Sequence, residues 1–410
     1  MKRSLGLAAF VLLVSPLIAQ QVHEETTVVN VGVPVRVYQG PSFMGDLKLD
    51  DFEVYEDGVA QKLEAVYLVH QAAIERREEL SRFAPETSRH FYLFFEITEY
   101  TSRIGEALDY FLTSVLLPGD TLTVVTPLKT YKMRMKALEM KIKPDISAQL
   151  KGILRQDSLL GNTEYRRTIS ELVEVAKALA RALMSSQDPL STLGLNDTSR
   201  AIRADFAPEE LLFQYADALA NLESFRKLDF QRLTQFSSLL KNEEGQKYVF
   251  VFYQREFLPQ IEPRILYPYL ELNQDRPDIQ YTVMSLFDFY RRYNTFDVGT
   301  VTQAYADASI AIHFLFISEP VKHEPGLKFQ ERSEDIYTAL KEMALATGGF
   351  FDASANPTAL LKNAVNSSEN YYLLYYSPKR AERDGQFRRI TVKVKNKDYR
   401  IVHRQGYFAK

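Results

Sequence analysis

At 410 residues, 46% hydrophobic and 25% charged, the chain has ordinary globular composition and exceeds the usual size of one domain, so two domains or one domain with large insertions are expected. Its formal net charge of −3 supplies no global basic field of the kind that gathers nucleic acid. The absence of cysteine excludes a disulfide framework, a lipid-modified cysteine anchor, a thiol nucleophile and a thiolate metal site.

Residues 1–20 have the layout of a secretory signal peptide: Lys2 and Arg3, an apolar stretch from Leu5 to Val14, Pro16, and a small residue at Ala19. The stretch is too short for a stable membrane span. Export is therefore expected, to the periplasm, the outer envelope or the medium, with no membrane span after cleavage. Residues 24–70 read as β structure. Val29, Val31, Val33, Val35 and Val37 alternate strictly, and Asp57-Gly58 supplies the turn of a hairpin that returns through Leu63 to Val69. Two or three strands do not make a stable sandwich alone, so their partners are expected elsewhere in the chain. Residues 71–88 are polar and charged and read as a solvated linker or short surface helix.

The run from Arg89 to Thr101 organises the rest. Phe91 to Ile97 is apolar without alternation, as a strand covered on both faces should be, and it ends in the polar loop Glu96, Thr98, Tyr100. Helical spacing follows at Ile104, Leu108, Phe111 and Leu112. In open α/β sheets the crevice beyond such a strand end is where ligands sit. Further strands are predicted at Thr121 to Thr126 and Thr130 to Met135, with Met133, Met135 and Met140 as packing residues.

Gly161-Asn162-Thr163 opens a helix over Glu164 to Met184, and Thr163 reads first as an N-cap. A loop-like Ser185 to Arg203 and a helical Ala207 to Lys241 are read as a helical insertion at 185–244. Lys247 to Tyr253 is a second buried strand, ending in Tyr253-Gln254-Arg255. An aromatic-rich helical stretch follows, read as core packing residues, with an exposed surface around Tyr290, Arg291 and Arg292 for a protein partner as the alternative. Ala308 to Ile317 is a third buried strand, and Ser333 to Thr347 is a helix closed by Gly348-Gly349. A short strand at Phe350-Phe351 and a helix at Pro357 to Val365 precede alternating β segments at Tyr371 to Tyr376, Gln386 to Lys395 and Tyr399 to His403. Strands alternating with helices predict a doubly wound, mostly parallel α/β sheet.

Enzyme motifs are missing. No two of the six histidines have ligand spacing, and neither a G-x-S-x-G elbow nor a phosphate-cradling glycine loop occurs. Asp50, Asp51 and Glu53 lie beside a strand, where a solvated turn is the simplest reading.

Taken together, DDFEVYEDGVAQKL, LKEMALATGGFFD, YYLLYYSP, DGQFRRITVKVK and RQGYFA resemble, in their order, the VWFA-related proteins of acidobacteria and related bacteria. The resemblance implies a von Willebrand factor type A (vWA), Rossmann-like domain over 89–368, flanked by β segments at 24–70 and 369–410. Those flanks are inferred to pair into a small discontinuous, immunoglobulin-like sandwich. It also implies an adhesion module in which a bound Mg²⁺ is completed by an acidic side chain of the partner, on an Asp-x-Ser-x-Ser loop, a threonine and an aspartate. In this chain those positions carry Glu96, Thr98 and Tyr100, then Thr163, then Gln254. The set departs from what Mg²⁺ demands of its oxygen ligands, so a degenerate site with no metal or cofactor is expected. Glu96, Thr98, Tyr253 and Arg255 are the candidate partner-binding residues. The expectation is a non-enzymatic exported adhesion or scaffold protein with an unidentified protein partner. Alternatives are a divergent Mg²⁺ site on Glu96, Thr98 and Thr163, an envelope component self-associating through the insertion, and a carboxylate-site hydrolase.

Overall fold

The structure, a computed structural model, describes residues 30–81, 83–133, 142–186, 207–223, 225, 230–254, 256–291, 296–379 and 383–409. The leader, Met135, Met140, Arg255, Arg292 and most of the loop read over Ser185 to Arg203 lie outside the described residues. From the N-terminus come β1 (Val31–Gln39), β2 (Ser42–Phe43), β3 (Phe52–Glu56), β4 (Val59–Gln61), β5 (Leu63–His70), β6 (Ala73–Glu79), β7 (Arg89–Glu96) and α1 (Ser102–Tyr110). Next are β8 (Thr121–Val125), β9 (Thr130–Lys132), α2 (Lys143–Gly161), α3 (Thr163–Ser186), α4 (Pro208–Glu223) and α5 (Phe230–Leu240). Then follow β10 (Gln246–Gln254), β11 (Phe257–Ile261), α6 (Pro263–Leu272), α7 (Pro277–Arg291), α8 (Gly299–Asp307), β12 (Ile310–Ile317), β13 (Leu327–Glu331) and α9 (Glu334–Ala346). The chain closes with β14 (Phe351–Ser354), α10 (Pro357–Glu369), β15 (Asn370–Tyr376), β16 (Phe387–Val394), β17 (Arg400–His403) and β18 (Gly406–Phe408).

These strands form four sheets, and their pairing corrects the expected fold class. The chain is a mixed α/β protein, not a doubly wound, mostly parallel vWA-type fold. Among the described residues ten strand pairings are antiparallel and four are parallel. Three sheets are wholly antiparallel: β17-β1-β15-β5-β6 with β2 on β1, then β18-β16-β3-β4, then β11-β13. The fourth, β14-β12-β10-β7-β8-β9, is mixed, because β9 turns back antiparallel on β8. The four parallel pairings all join the apolar strands β8, β7, β10, β12 and β14, and the antiparallel majority comes from β9, from the β11-β13 pair and from the strands contributed by the two ends of the chain.

The mixed sheet is covered on both sides. Phe91, Leu93 and Phe95 of β7 point into one core with Ile104, Leu108 and Phe111, and Tyr92 points into another with Val249, Phe314 and Ile336. β1 pairs with β15 and β17, and β3 pairs with β16, so segments from the two ends of the chain share sheets. The alternating valines Val33, Val35 and Val37 meet Val54, Ile390 and Val392 in a core between these sheets. Arginines fasten this part to the mixed sheet through carbonyls: Arg36 Nη1 donates to Gly348 O at 2.9 Å, and Arg404 to Ala306 O at 3.1 Å and Gly32 O at 2.7 Å.

Several local expectations are also revised. Residues 73–79 form strand β6 on β5, because the exposed charges of AIERREE alternate at a sheet edge. Lys143 to Gly161, with weak amphipathic character, is a helix. The aromatic stretch is two helices, α6 and α7, and Tyr290 packs as expected of a core aromatic, its hydroxyl 2.5 Å from Tyr215 Oη, so the alternative of an exposed Tyr290 surface is the part revised. The helical segments α3, α4, α6 and α7 share one apolar core with β11 and β13. Where α9 ends, Gly348 adopts φ +74°, and a Cβ on Gly349 would lie 1.7 Å from Ile312 O, so only glycine lets β14 approach β12 there.

Candidate functional site

Parallel pairing of β7 with β10 sets Tyr253 beside Glu96 and delivers Gln254 to the loop beyond β7. Gln254 is 3% exposed, and its carboxamide is fully engaged with that loop. Its Oε1 accepts from Thr98 N at 2.6 Å, Thr98 Oγ1 at 3.0 Å and Glu99 N at 2.8 Å. Its Nε2 donates to Glu99 O at 2.7 Å. A second amide holds the same turn from the other side. Asn162, at the corner between α2 and α3, donates from Nδ2 to Ile97 O at 2.9 Å and Ser158 O at 2.8 Å. Two buried or half-buried amides thus give the backbone polar groups of an irregular loop the partners that regular structure cannot.

The remaining candidates are dispersed. Tyr100 folds back over α1, with its hydroxyl in the space that a Cβ on Gly105 would take and the Arg155 guanidinium 5.2 Å above its ring. Thr163 donates its hydroxyl to Leu159 O at 3.1 Å and Leu160 O at 3.0 Å, closing the end of α2. Tyr253 stacks on Phe316 at 5.6 Å with the rings 2° from parallel. Glu96, Thr98, Tyr253 and Gln254 are therefore brought together, whereas Tyr100 and Thr163 are committed elsewhere and Arg255 lies outside the described residues. Of the five positions compared with a Mg²⁺ site, Thr98 and Gln254 are joined by a hydrogen bond and Glu96 lies beside Tyr253, whereas Tyr100 lies over α1 and Thr163 hydrogen-bonds to the last turn of α2. Among the described residues no group of three or more His, Asp or Glu side chains is placed to hold a metal ion.

The rim of the loop is acidic. Glu96 keeps a solvent-exposed side, but surrounding protein atoms push its carboxyl pKa up, opposed by the Arg232 guanidinium. Half-buried Glu319 is likewise raised, first by burial and then by the charge of Glu99, with Lys322 opposing. The surface therefore offers carboxylates and an aromatic edge around a turn that is held rigid from below.

Sequence reasoning missed Asn162, treating it as part of a turn before Thr163, although an Asn at a helix corner is a standard local hydrogen-bonder. It also missed the interior pair His313 and Ser368. Phe350 N donates to His313 Nδ1 at 3.2 Å, which places the ring proton on Nε2, 3.2 Å from Ser368 Oγ. Ser368 in turn donates to Ala364 O at 2.7 Å, so the pair ties α10 to the mixed sheet. Asp51 closes its own turn through Lys48 N at 2.8 Å, and Glu53 accepts from Tyr55 Oη at 2.8 Å. A groove of about 830 Å³ between α5 and α8, lined by Gln231, Thr234, Gln235, Ser238, Leu239, Asp297, Thr300 and Val301, holds one carboxylate and none of the candidate residues.

No family model matches the chain, and no curated protein matches it. Several solved chains are similar to parts of it, two of them as follows. The crystal structure of the TFIIH p34 N-terminal domain is 13% identical over 68% of this chain and 96% of that one, with a TM-score of 0.23. The crystal structure of the human COPII-coat protein Sec24c is 7% identical over 80% of this chain and 44% of that one, with a TM-score of 0.31. Likenesses at this level carry no argument about fold or function.

Proposed function

We propose that the chain is a non-enzymatic, exported interaction protein of the adhesion or scaffold kind, which meets a protein partner through the loop surface at the carboxyl end of β7 and β10 without a bridging metal ion. The observation that supports this reading is the Gln254 carboxamide, which accepts three hydrogen bonds from the Thr98–Glu99 turn and donates one back to it. Two neutral amides, Gln254 and Asn162, hold the loop from either side, so the contact surface needs no cation to be preorganised. Glu96, Thr98, Tyr253 and Arg255 are the residues assigned to the partner, with aromatic contact and ordinary hydrogen bonds supplying affinity.

Calorimetric titration of Mg²⁺ and Mn²⁺ into the protein starting after Ala19 tests the metal-independent part of the reading, with Thr98→Ala as control. No saturable heat and no thermal stabilisation are expected. Binding near one equivalent that disappears in Thr98→Ala would overturn it and make acidic partners the chemistry to seek.

A further inference from the structure

The seam between the mixed sheet and the sheets built from the chain ends gathers on one short connector. Between α9 and β14 the chain runs through Thr347, Gly348, Gly349 and Phe350, and groups from both sides converge there. Arg36 of β1 donates to Gly348 O at 2.9 Å, and Gln405, between β17 and β18, donates its backbone N–H to Ala346 O at 3.0 Å. From within the mixed sheet His313 accepts from Phe350 N at 3.2 Å. The backbone of β17 passes so close that a Cβ on Gly348 would lie 3.1 Å from His403 C.

Each histidine at this seam is held as a neutral acceptor. His313 is 1% exposed and takes the Phe350 N–H on Nδ1. Half-buried His403 takes the Val392 N–H on Nε2 at 3.3 Å, while its Nδ1 donates to Arg404 O at 2.7 Å. A further proton turns either acceptor nitrogen into a donor aimed at a backbone N–H, and it sets an imidazolium beside an arginine. Arg36 is the charge that acts on His313, whose ring stacks on Phe250 of β10, lies 6.0 Å from the Tyr248 ring and meets Ser368 of α10 at Nε2. Arg404 is the charge that acts on His403, and Arg404 is itself influenced by Tyr376 of β15, Asp307 of α8 and Tyr407 of β18. Burial first, and then these arginines, lower the pKa of both histidines, with the bond to Arg404 O opposing the shift at His403. The same two arginines make the carbonyl bonds that join the two parts of the molecule.

We propose that this seam is an acid-sensitive latch, in which protonation of His313 and His403 disengages the terminal β sheets from the mixed sheet while the mixed sheet stays folded. Opening returns each ring to solvent, where imidazole takes up a proton as pH falls below about 6.5. The closed seam is therefore fully favoured above that pH and loses stability below it. At about pH 5 a solvated imidazole is protonated in a ratio of about 30 to 1, so opening should be favoured by up to about 30-fold for each histidine it exposes.

Amide hydrogen exchange of the full chain at about pH 7.5 and about pH 5, corrected for the intrinsic effect of pH on exchange, tests the latch. Protection of the Phe350, Val392 and Gln405 amides is expected to fall about 30-fold on acidification, while the Phe250 and Phe252 amides in the centre of β10 keep theirs. His313→Gln with His403→Gln leaves a neutral acceptor at each position and should abolish the fall. His403→Gln alone, at the half-buried site, keeps the test open where the fully buried substitution prevents folding, and it should lessen the fall by itself. Equal loss of protection at the seam and in β10 would overturn the assignment, because the molecule would then open as one unit. Unchanged seam protection in the wild-type chain, or a fall that His403→Gln leaves undiminished, would overturn it as well.

Discussion

Gln254→Leu is the most informative perturbation of the strand-end loop. The substitution keeps an apolar stem of similar reach and removes all four hydrogen bonds to Thr98 and Glu99, leaving two backbone N–H groups and one carbonyl without their protein partner. At about 0.5–1.5 kcal/mol net for each bond, and with Thr98 only half-buried and Glu99 exposed so that water replaces part of the loss, the loop should be destabilised by about 2 kcal/mol. Hydrogen exchange of the Thr98 and Glu99 amides is the direct assay, and it should accelerate about 30-fold while exchange in the centre of β7 stays unchanged. Gln254→Glu makes a graded comparison. Its carboxylate still accepts from Thr98 and Glu99, but it donates to Glu99 O only when protonated, so protection should be partial at neutral pH and recover on acidification. Unaltered Thr98 and Glu99 exchange in Gln254→Leu would refute the argument that this amide orders the loop.

Three other outcomes follow from the interior. Arg89 and Asp120 form a buried pair, at 3.0 Å and 2.5 Å, so Arg89→Met should cost about 3–5 kcal/mol in urea denaturation, and adding Asp120→Leu should restore part of it by removing the orphaned charge. Burial holds the His313 pKa well below 6.5, with the Arg36 charge acting in the same direction. The unfolded chain therefore binds the extra proton as pH falls below about 6.5, and stability should decline there by up to about 1.4 kcal/mol per pH unit from this residue, a slope that His313→Phe should flatten. Gly349→Ala should prevent the approach of β14 to β12 and markedly reduce soluble folded protein, whereas Gly119→Ala, with φ +92° in open space, should cost only about 1 kcal/mol.

Much of the strand-end site was legible as a list of residues and illegible as a geometry. Phe91 to Ile97 and Lys247 to Tyr253 announce buried strands because a strand covered on both faces has no reason to alternate, and both lie in the interior of the mixed sheet. Comparing Gln254 with a lost aspartate drew notice to the right position. That Gln254 satisfies Thr98 and Glu99 by itself depends on a contact across more than 150 residues, which no local pattern encodes. Tyr100 stood out as a departure from the compared loop, but where its ring goes was not legible: it lies over α1, in space that the missing Cβ of Gly105 leaves open.

The sequence by itself determined which segments bury themselves and where turns fall, since apolar periodicity, Asp57-Gly58 and Gly348-Gly349 act over a few residues. Tertiary structure alone decided strand direction and partnership. The segment at 73–79 became an edge strand because β5 offered it an unpaired edge, and β1 found β15 and β17 because two or three N-terminal strands have too little apolar surface to stand alone. Burial is a property of a side chain, whereas pairing is a property of two distant backbones, and only the second distinguishes this mixed fold from the doubly wound one its sequence suggests.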